Sequence, residues 1–502
     1  MITPEAVRRI WTEVLEIPEG GRLDDFYAAG GDSLLAVRMV GALRDGGLQV
    51  TLRDFLRRPT LSYLVALADQ PASELPPRFD TAPGIEAPGA PYRVLPAQQR
   101  WLDHNWAEPT HFNLGAIFSV GAACGLGEVA AAGTQLVHRH AALRTAYRRG
   151  VVGWVAETLP PDACDVVSVI DPGSGPLDAA VGEAQVTLDP YEGRVARVLV
   201  GRADDGDLLL ALVAHHLTLD GYSLSLAGDD IERLLGGAVG PVNQPEHYAA
   251  ACDQWEMSAE AQEDCGAWAA PPWGVAGRVT PTAGGAGNLD TVRTTNVALS
   301  PEHTVALARR CRQASTTVAD ATLQGLCEAI AGEWSLEAVI VDEYSHGRDV
   351  TPGGIDIAAT VGYLQSTYPV LVRCGRGPGT LERGAAAHIG VPERRFGFDI
   401  LRQRRGGTAV GPAPGTVDIR YNFRGQLGRI NERRNRIVRG ADIQIRGQRS
   451  RLQSEPYELM LEGDLIDGRL VLGIKSSVVR HEPARIEDVL RRAAAALSQE
   501  AR

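Results

Sequence analysis

The spacing of apolar positions changes along the chain, and the changes divide it into parts. Val7, Ile10, Trp11 and Val14 recur at helical intervals behind Thr3 and Pro4, which suit an N-cap and a first helical position. A second helix is predicted to start near Asp32, with Leu35, Met39 and Leu43 on one face. A third follows Pro59-Thr60 and carries Leu61, Leu64, Val65 and Ala68. Residues 1–70 therefore read as a small helical bundle. Residues 71–92 are rich in proline and alanine without periodicity, as expected of an extended linker. From Arg93 onward strand-like and helix-like patterns alternate. "LLLALVA" (Leu208 to Ala214) is an apolar run of strand length, expected of a strand covered on both faces. A helix is predicted after Gly221, with Leu224, Ile231, Leu234 and Leu235 along one side. A second linker-like stretch, Ala269 to Asn288, splits this body into lobes at 93–270 and 289–502. The fold class is α+β: a helical unit, a tether and an α/β body in two parts.

Composition narrows the function. The chain has 502 residues, room for two to four domains, and a formal net charge of -12. That charge argues against a nucleic-acid partner, which calls for clustered Lys and Arg. One stretch, Arg429 to Arg451, is locally arginine-rich; it suits a solvated face or a dock for an acidic partner. Seven scattered cysteines without a CxxC pair fit a reducing cytosol, with neither a disulfide framework nor a zinc site. There is no signal-peptide pattern and no apolar run of about 18 residues, so a cytoplasmic protein without membrane contact is expected.

Two motifs carry candidate chemistry. "FYAAGGDSLLAVRMV" places Ser33 after Gly-Gly-Asp at a predicted helix start. Alone, that is what an N-cap looks like. "AHHLTLDGYS" ends the apolar strand on His215 and His216, followed by Asp220, Gly221 and Ser223. Histidine is the side chain best suited to act as a base near pH 7. A shared metal is a poor alternative, since adjacent residues on a strand point to opposite faces. His138 and His140, two apart on a helix, do not share a face either.

With "PTLSYL" and the tether that follows, residues 5–69 resemble the thiolation (peptidyl carrier) domain of nonribosomal peptide synthetases. The resemblance implies that Ser33 carries 4'-phosphopantetheine, attached by a phosphopantetheinyl transferase. "AHHLTLDGYS", "LPAQQRWL", "LVHRHAALRTAY" and "LDPYEGRVARVLV" are similar to motifs of the condensation superfamily of the same synthetases. That implies two chloramphenicol-acetyltransferase-like lobes with a tunnel between them, His216 as base and Asp220 as a structural carboxylate paired with an arginine. Our candidate partner is Arg348.

Within the superfamily, four segments resemble the epimerization branch. These are "EYSHGRD" (Glu343 to Asp349), "TVGYLQSTYPV" (Thr360 to Val370), "VPERRFGFDIL" and "RYNFRGQLG" (Arg420 to Gly428). Asp32 before the serine agrees with carriers that serve this branch. The implied activity is epimerase-type, L to D, on an aminoacyl or peptidyl thioester in antibiotic biosynthesis, with adenylation upstream and condensation downstream. The chain departs from the branch at chemically demanding positions. Tyr344 stands where the family has its second proton-transfer glutamate, and Glu343 lies one residue earlier. Phe423 replaces a tyrosine beside a retained Asn422, and Tyr363 and Leu364 replace Trp and Phe. Tyr344 or Glu343 is therefore expected to serve opposite His216. Other readings are Cα deprotonation with β-elimination, peptide-bond formation, and a catalytically silent docking module.

Overall fold

The computed structural model describes residues 2–499 except 16, 18–23, 27–28, 30, 32, 49, 71–88, 122–123, 165, 171–176, 204–205, 238–239, 241, 376–378, 389, 405–409, 426–436, 442 and 444. Asp32, the side chain of Ser33 and most of the expected linker lie outside the described residues.

The N-terminal unit holds α1 (Pro4–Leu15), α2 (Ser33–Asp45), α3 (Leu52–Arg57) and α4 (Leu61–Ala68). Thr3 accepts the Ala6 N–H at 3.2 Å and Thr60 the Tyr63 N–H at 3.3 Å, so both predicted starts are capped. Val7 and Trp11 of α1 and Leu35, Met39 and Leu43 of α2 are buried. Phe26 meets Trp11 and Phe55 edge-on, at 5.8 and 4.9 Å between ring centroids. Helix α3 escaped prediction because six residues are too few to display a period; Thr51 caps it, accepting the Asp54 N–H.

The first lobe runs through β1 (Tyr92–Arg93), α5 (Pro96–Leu102), β2 (Asn113–Val120), α6 (Leu126–Arg139), β3 (Thr145–Arg149), β4 (Trp154–Thr158), β5 (Val167–Val169), α7 (Leu177–Val186), β6 (Ala196–Arg202), β7 (Leu208–His215) and α8 (Gly221–Leu235). Helices α9 (Pro245–Glu256) and α10 (Ala259–Ala269) follow. The second lobe holds β8 (Val292–Ala298), α11 (Pro301–Gln313), α12 (Val318–Trp334), β9 (Ala338–Ser345), β10 (Ser366–Arg373), α13 (Thr380–Ala386), α14 (Phe396–Arg404), β11 (Ile419–Gly425), β12 (Val438–Gly440), β13 (Leu459–Ile466), β14 (Arg469–Ser477) and α15 (Pro483–Ser498). One main sheet has the order β12-β2-β7-β6-β5, the other β10-β9-β11-β13-β14-β8.

Strand β7 explains its own apolar run. It lies in mid-sheet, with Leu208, Leu210 and Leu212 in one core and Leu209, Ala211 and Val213 in another. Three features depart from expectation. Trp255 of α9 and Trp268 of α10 join the second lobe's core, although sequence placed them in the first. The stretch 269–288 is packed chain rather than a loose connector. Its Arg278 bonds Asp418 at 2.6 and 2.5 Å, and its Val279 is buried. Proline and glycine report the absence of helix and strand there, not the absence of packing. Strand β12 crosses to the first lobe's sheet and pairs with β2, a long-range pairing that no local pattern announces. Among the described residues, no helix is long and apolar enough to cross a membrane.

The helical unit touches the body through α2. Arg38 lies 3.7 Å from Asp229 of α8, and Arg44 pairs with Asp356. The helix that begins with Ser33 thus lies beside the helix that begins after Asp220.

Candidate active site

The two histidines leave β7 in different directions. His215 donates from Nε2 to the Pro109 carbonyl at 2.8 Å and accepts the Leu217 N–H at Nδ1, 3.3 Å away. Burial pulls its pKa down to about 3, so it is a neutral strut. His216 bonds the Leu219 carbonyl through Nδ1 at 2.8 Å. A carbonyl only accepts, so Nδ1 carries the proton and Nε2 keeps its lone pair. The ring stacks on Phe112 at 4.9 Å and meets Tyr363 edge-on at 5.2 Å. Burial lowers its pKa, and the Arg449 charge acts in the same direction. The pair divides its labour: one histidine fixes the loop, the other presents a neutral base.

Asp220 holds that loop to the second lobe. It caps α8 through the Ser223 N–H at 2.9 Å and receives Arg348 at 2.9 and 3.2 Å. The Leu364 N–H adds a bond at 3.1 Å, and Arg348 also donates to the Thr360 carbonyl at 3.1 Å. The Arg348 side chain is 0% exposed and that of Asp220 5%. Burial works against the Asp220 charge, but Arg348 and Ser223 outweigh it and hold the pKa below the usual range. Gly221 opens the helix, and the Ser223 hydroxyl also donates to Asp220 and bonds the Gly362 backbone. Gly347, before the arginine, has φ 70°, and a Cβ there would sit 2.0 Å from the Leu364 carbonyl oxygen.

The second lobe contributes strands β9 and β11. Alternation on β9 sets Asp342 and Tyr344 on one face and Glu343 on the other. Tyr344 lies against the Arg420 guanidinium, 5.0 Å from its ring. Asp342 accepts from the Tyr457 hydroxyl at 2.8 Å, and burial raises its pKa to about 6. After burial, Tyr344 is the next influence holding the Tyr363 phenol protonated, which links this face to His216. Glu343 instead bonds His388 at 2.6 Å, and His388 lies 3.3 Å from Asp320. Glu343 thus lies on the face of β9 away from Tyr344 and is held by His388. On β11, Arg420 and Asn422 alternate with Tyr421 and Phe423, which pack toward the second lobe's core. His140 is bonded to Asp230 at 2.8 Å and is structural, while His138 is exposed. Among the described residues, no group of three or more His, Cys, Asp or Glu could hold a metal ion.

Sequence reasoning missed Asp342, Tyr457, Phe112 and the arginines Arg420 and Arg449. Asp342 had a usable signal, since it lies two residues before Tyr344 on a strand. Arg449 belongs to the basic stretch whose composition suits a solvated face. It is instead bridged through its backbone to Phe112, beside His216. That placement follows from the β12 crossover.

A small helical unit thus lies beside a two-lobed body that holds a neutral, buried histidine at the end of a mid-sheet strand. Comparison with known proteins agrees. Residues 5–68 match the phosphopantetheine attachment site and residues 90–502 the condensation domain; the chain belongs to the condensation-domain family. It is 25% identical over 449 residues to bacitracin synthase 3 of Bacillus licheniformis, covering 85% of this chain and 7% of that protein. Chondramide synthase of Chondromyces crocatus is 26% identical over 455 residues, covering 85% and 11%. The chain thus spans about a tenth of these relatives. The crystal structure of the epimerization domain from the third module of tyrocidine synthetase B superposes with a TM-score of 0.70 at 18% identity. The match covers 82% of this chain and 98% of that one, and it establishes the fold.

Proposed function

We propose that the body removes the α-proton of an aminoacyl or peptidyl thioester held on Ser33, and returns a proton to the opposite face, giving the D-epimer. Ser33 opens α2, where a helix N-terminus favours a phosphate. When attached, phosphopantetheine supplies the thioester, whose carbonyl acidifies Cα–H. His216 Nε2 takes that proton and becomes imidazolium. Tyr344, on the opposite lobe, gives its hydroxyl proton to Cα, and both groups return to their starting states by exchange with water. The observation that carries this reading is the fixed tautomer of His216, a base with its lone pair free at the lobe junction. Asp220 and Arg348 are positioning residues that set the distance between the two walls. His215, Gly221 and Ser223 hold the histidine loop, and Asn422 shares the wall of Arg420.

The test is to load Ser33 with an L-aminoacyl phosphopantetheine and record the intact mass and chirality of the arm-bound product. Inversion leaves the mass unchanged and yields D-product, the expected result. A lower mass would mean β-elimination. A mass gain that needs a second loaded carrier would mean condensation, and an unchanged L-residue a docking module. Ser33→Ala should carry no arm while the body remains folded.

A further inference from the structure

We propose that Arg420 and Arg449 form an anion subsite beside His216 that receives a carboxylate on the arm-bound acyl group, so that the preferred substrate is an acidic aminoacyl or peptidyl thioester. The inference rests on the proposed function for delivery of the substrate, and on the geometry of the two arginines for its chemistry.

Each guanidinium flanks one wall. Arg449 lies 5.0 Å over the Phe112 ring, on which His216 stacks. Arg420 lies 5.0 Å from the ring of Tyr344. Glu455 is the carboxylate near both, at 4.0 Å from Arg420 and 3.9 Å from Arg449, beyond hydrogen-bond distance on each side. The Nε atoms of both arginines are buried without an acceptor among the described residues. Neighbouring arginines reach a carboxylate within hydrogen-bond distance. Arg424 donates to Asp464 at 2.8 and 2.6 Å, Arg100 to Asp399 at 2.5 Å, and Arg348, whose Nε also has no acceptor among the described residues, to Asp220 at 2.9 and 3.2 Å.

Among the described residues, two partly buried guanidiniums, 17% and 32% exposed, against one distant carboxylate leave a surplus positive charge, and their buried Nε donors are costly to leave unpaired. A carboxylate is the anion whose paired oxygens match the guanidinium fork. An enolate oxygen carries charge only during reaction, whereas the surplus is present at rest. A substrate that brings a permanent negative charge offsets it before and throughout the chemistry.

The experiment uses the Ser33→Ala chain and four amide-linked, non-hydrolysable probes: aspartyl-, glutamyl-, asparaginyl- and glutaminyl-pantetheine. Affinity is read by calorimetry at two salt concentrations. The acidic probes are expected to bind at least about tenfold tighter than their amides at low salt. That margin should shrink with added salt and vanish in Arg420→Gln and Arg449→Gln, with amide-probe affinity retained as the control for folding. Equal affinity of acid and amide for the Ser33→Ala chain, or no binding of the acids, overturns the subsite. So does a preference that survives both substitutions. The Ser33→Ala acid-to-amide comparison decides the matter even where an arginine variant does not fold. Binding needs no turnover, so loss of the proposed reaction and loss of the subsite are separately visible.

Discussion

Glu343 and Tyr344 are neighbours on β9 with opposite surroundings. Glu343 faces helices, closed in by His388 at 2.6 Å and, through it, Asp320. Tyr344 faces the wall that carries Arg420, Asp342 and, through Tyr363, His216. A carboxylate held by a partly buried histidine adds to the packing of one lobe. In the proposed reaction, the phenol beside a guanidinium and an enclosed carboxyl is the group that transfers a proton. The pleat, not the residue type, assigns the roles: a shift of one residue moves a side chain to the other face of the sheet.

The comparison can be broken first at the brace on which both walls depend. Asp220→Ala leaves Arg348 charged and buried without its partner, which should cost about 3–5 kcal/mol. A lower melting temperature together with lost activity is expected from thermal unfolding; activity lost at an unchanged melting temperature would make Asp220 a direct participant. The next effect sharpens the contrast across β9. Tyr344→Phe should lower D-product by about 10²-fold while leaving α-proton removal in place, since a positioned proton donor typically contributes about 10²–10⁴-fold. Glu343→Gln should leave both rates unchanged. Chirality and exchange measured on the same loaded samples separate the two, and the reverse pattern would hand the role to Glu343.

The smallest effect concerns the closed face. Burial works against a charged His388, but the bond and charge of Glu343, helped by Asp320, outweigh it and raise its pKa. A raised folded-state pKa contributes stability that is fully present below the unfolded value, about 6.5, and is lost as pH rises through the folded value. Glu343→Gln should therefore destabilise the protein by about 1–2 kcal/mol near pH 6. The deficit should narrow as pH rises from there, which a melting-temperature series would read.

Local pattern carried much of this architecture. The capped starts of α1 and α4, the buried run of β7 and the motif around His216 depend on near neighbours in the chain, and they were legible. Which strand face Glu343 and Tyr344 occupy depends on register, and a single residue reverses it. Arg449 depends on a crossover that pairs β12 with β2, so its composition suggested solvent while its fold placed it beside His216. The packing of 269–288 was hidden for the same reason: its partners lie in distant parts of the second lobe. The Asp220–Arg348 pair spans the lobes too, yet both residues sit in recognisable motifs, and that made the pairing expected.

Deuterium exchange at Cα of an L-aminoacyl group loaded on Ser33 in heavy water tests the central claim most directly, with the intact chain and its His216→Ala variant side by side. Exchange in the intact chain and a loss of about 10²–10⁴-fold in the variant are the predicted result, as for a positioned general base. Exchange in the intact chain no faster than in His216→Ala would contradict it.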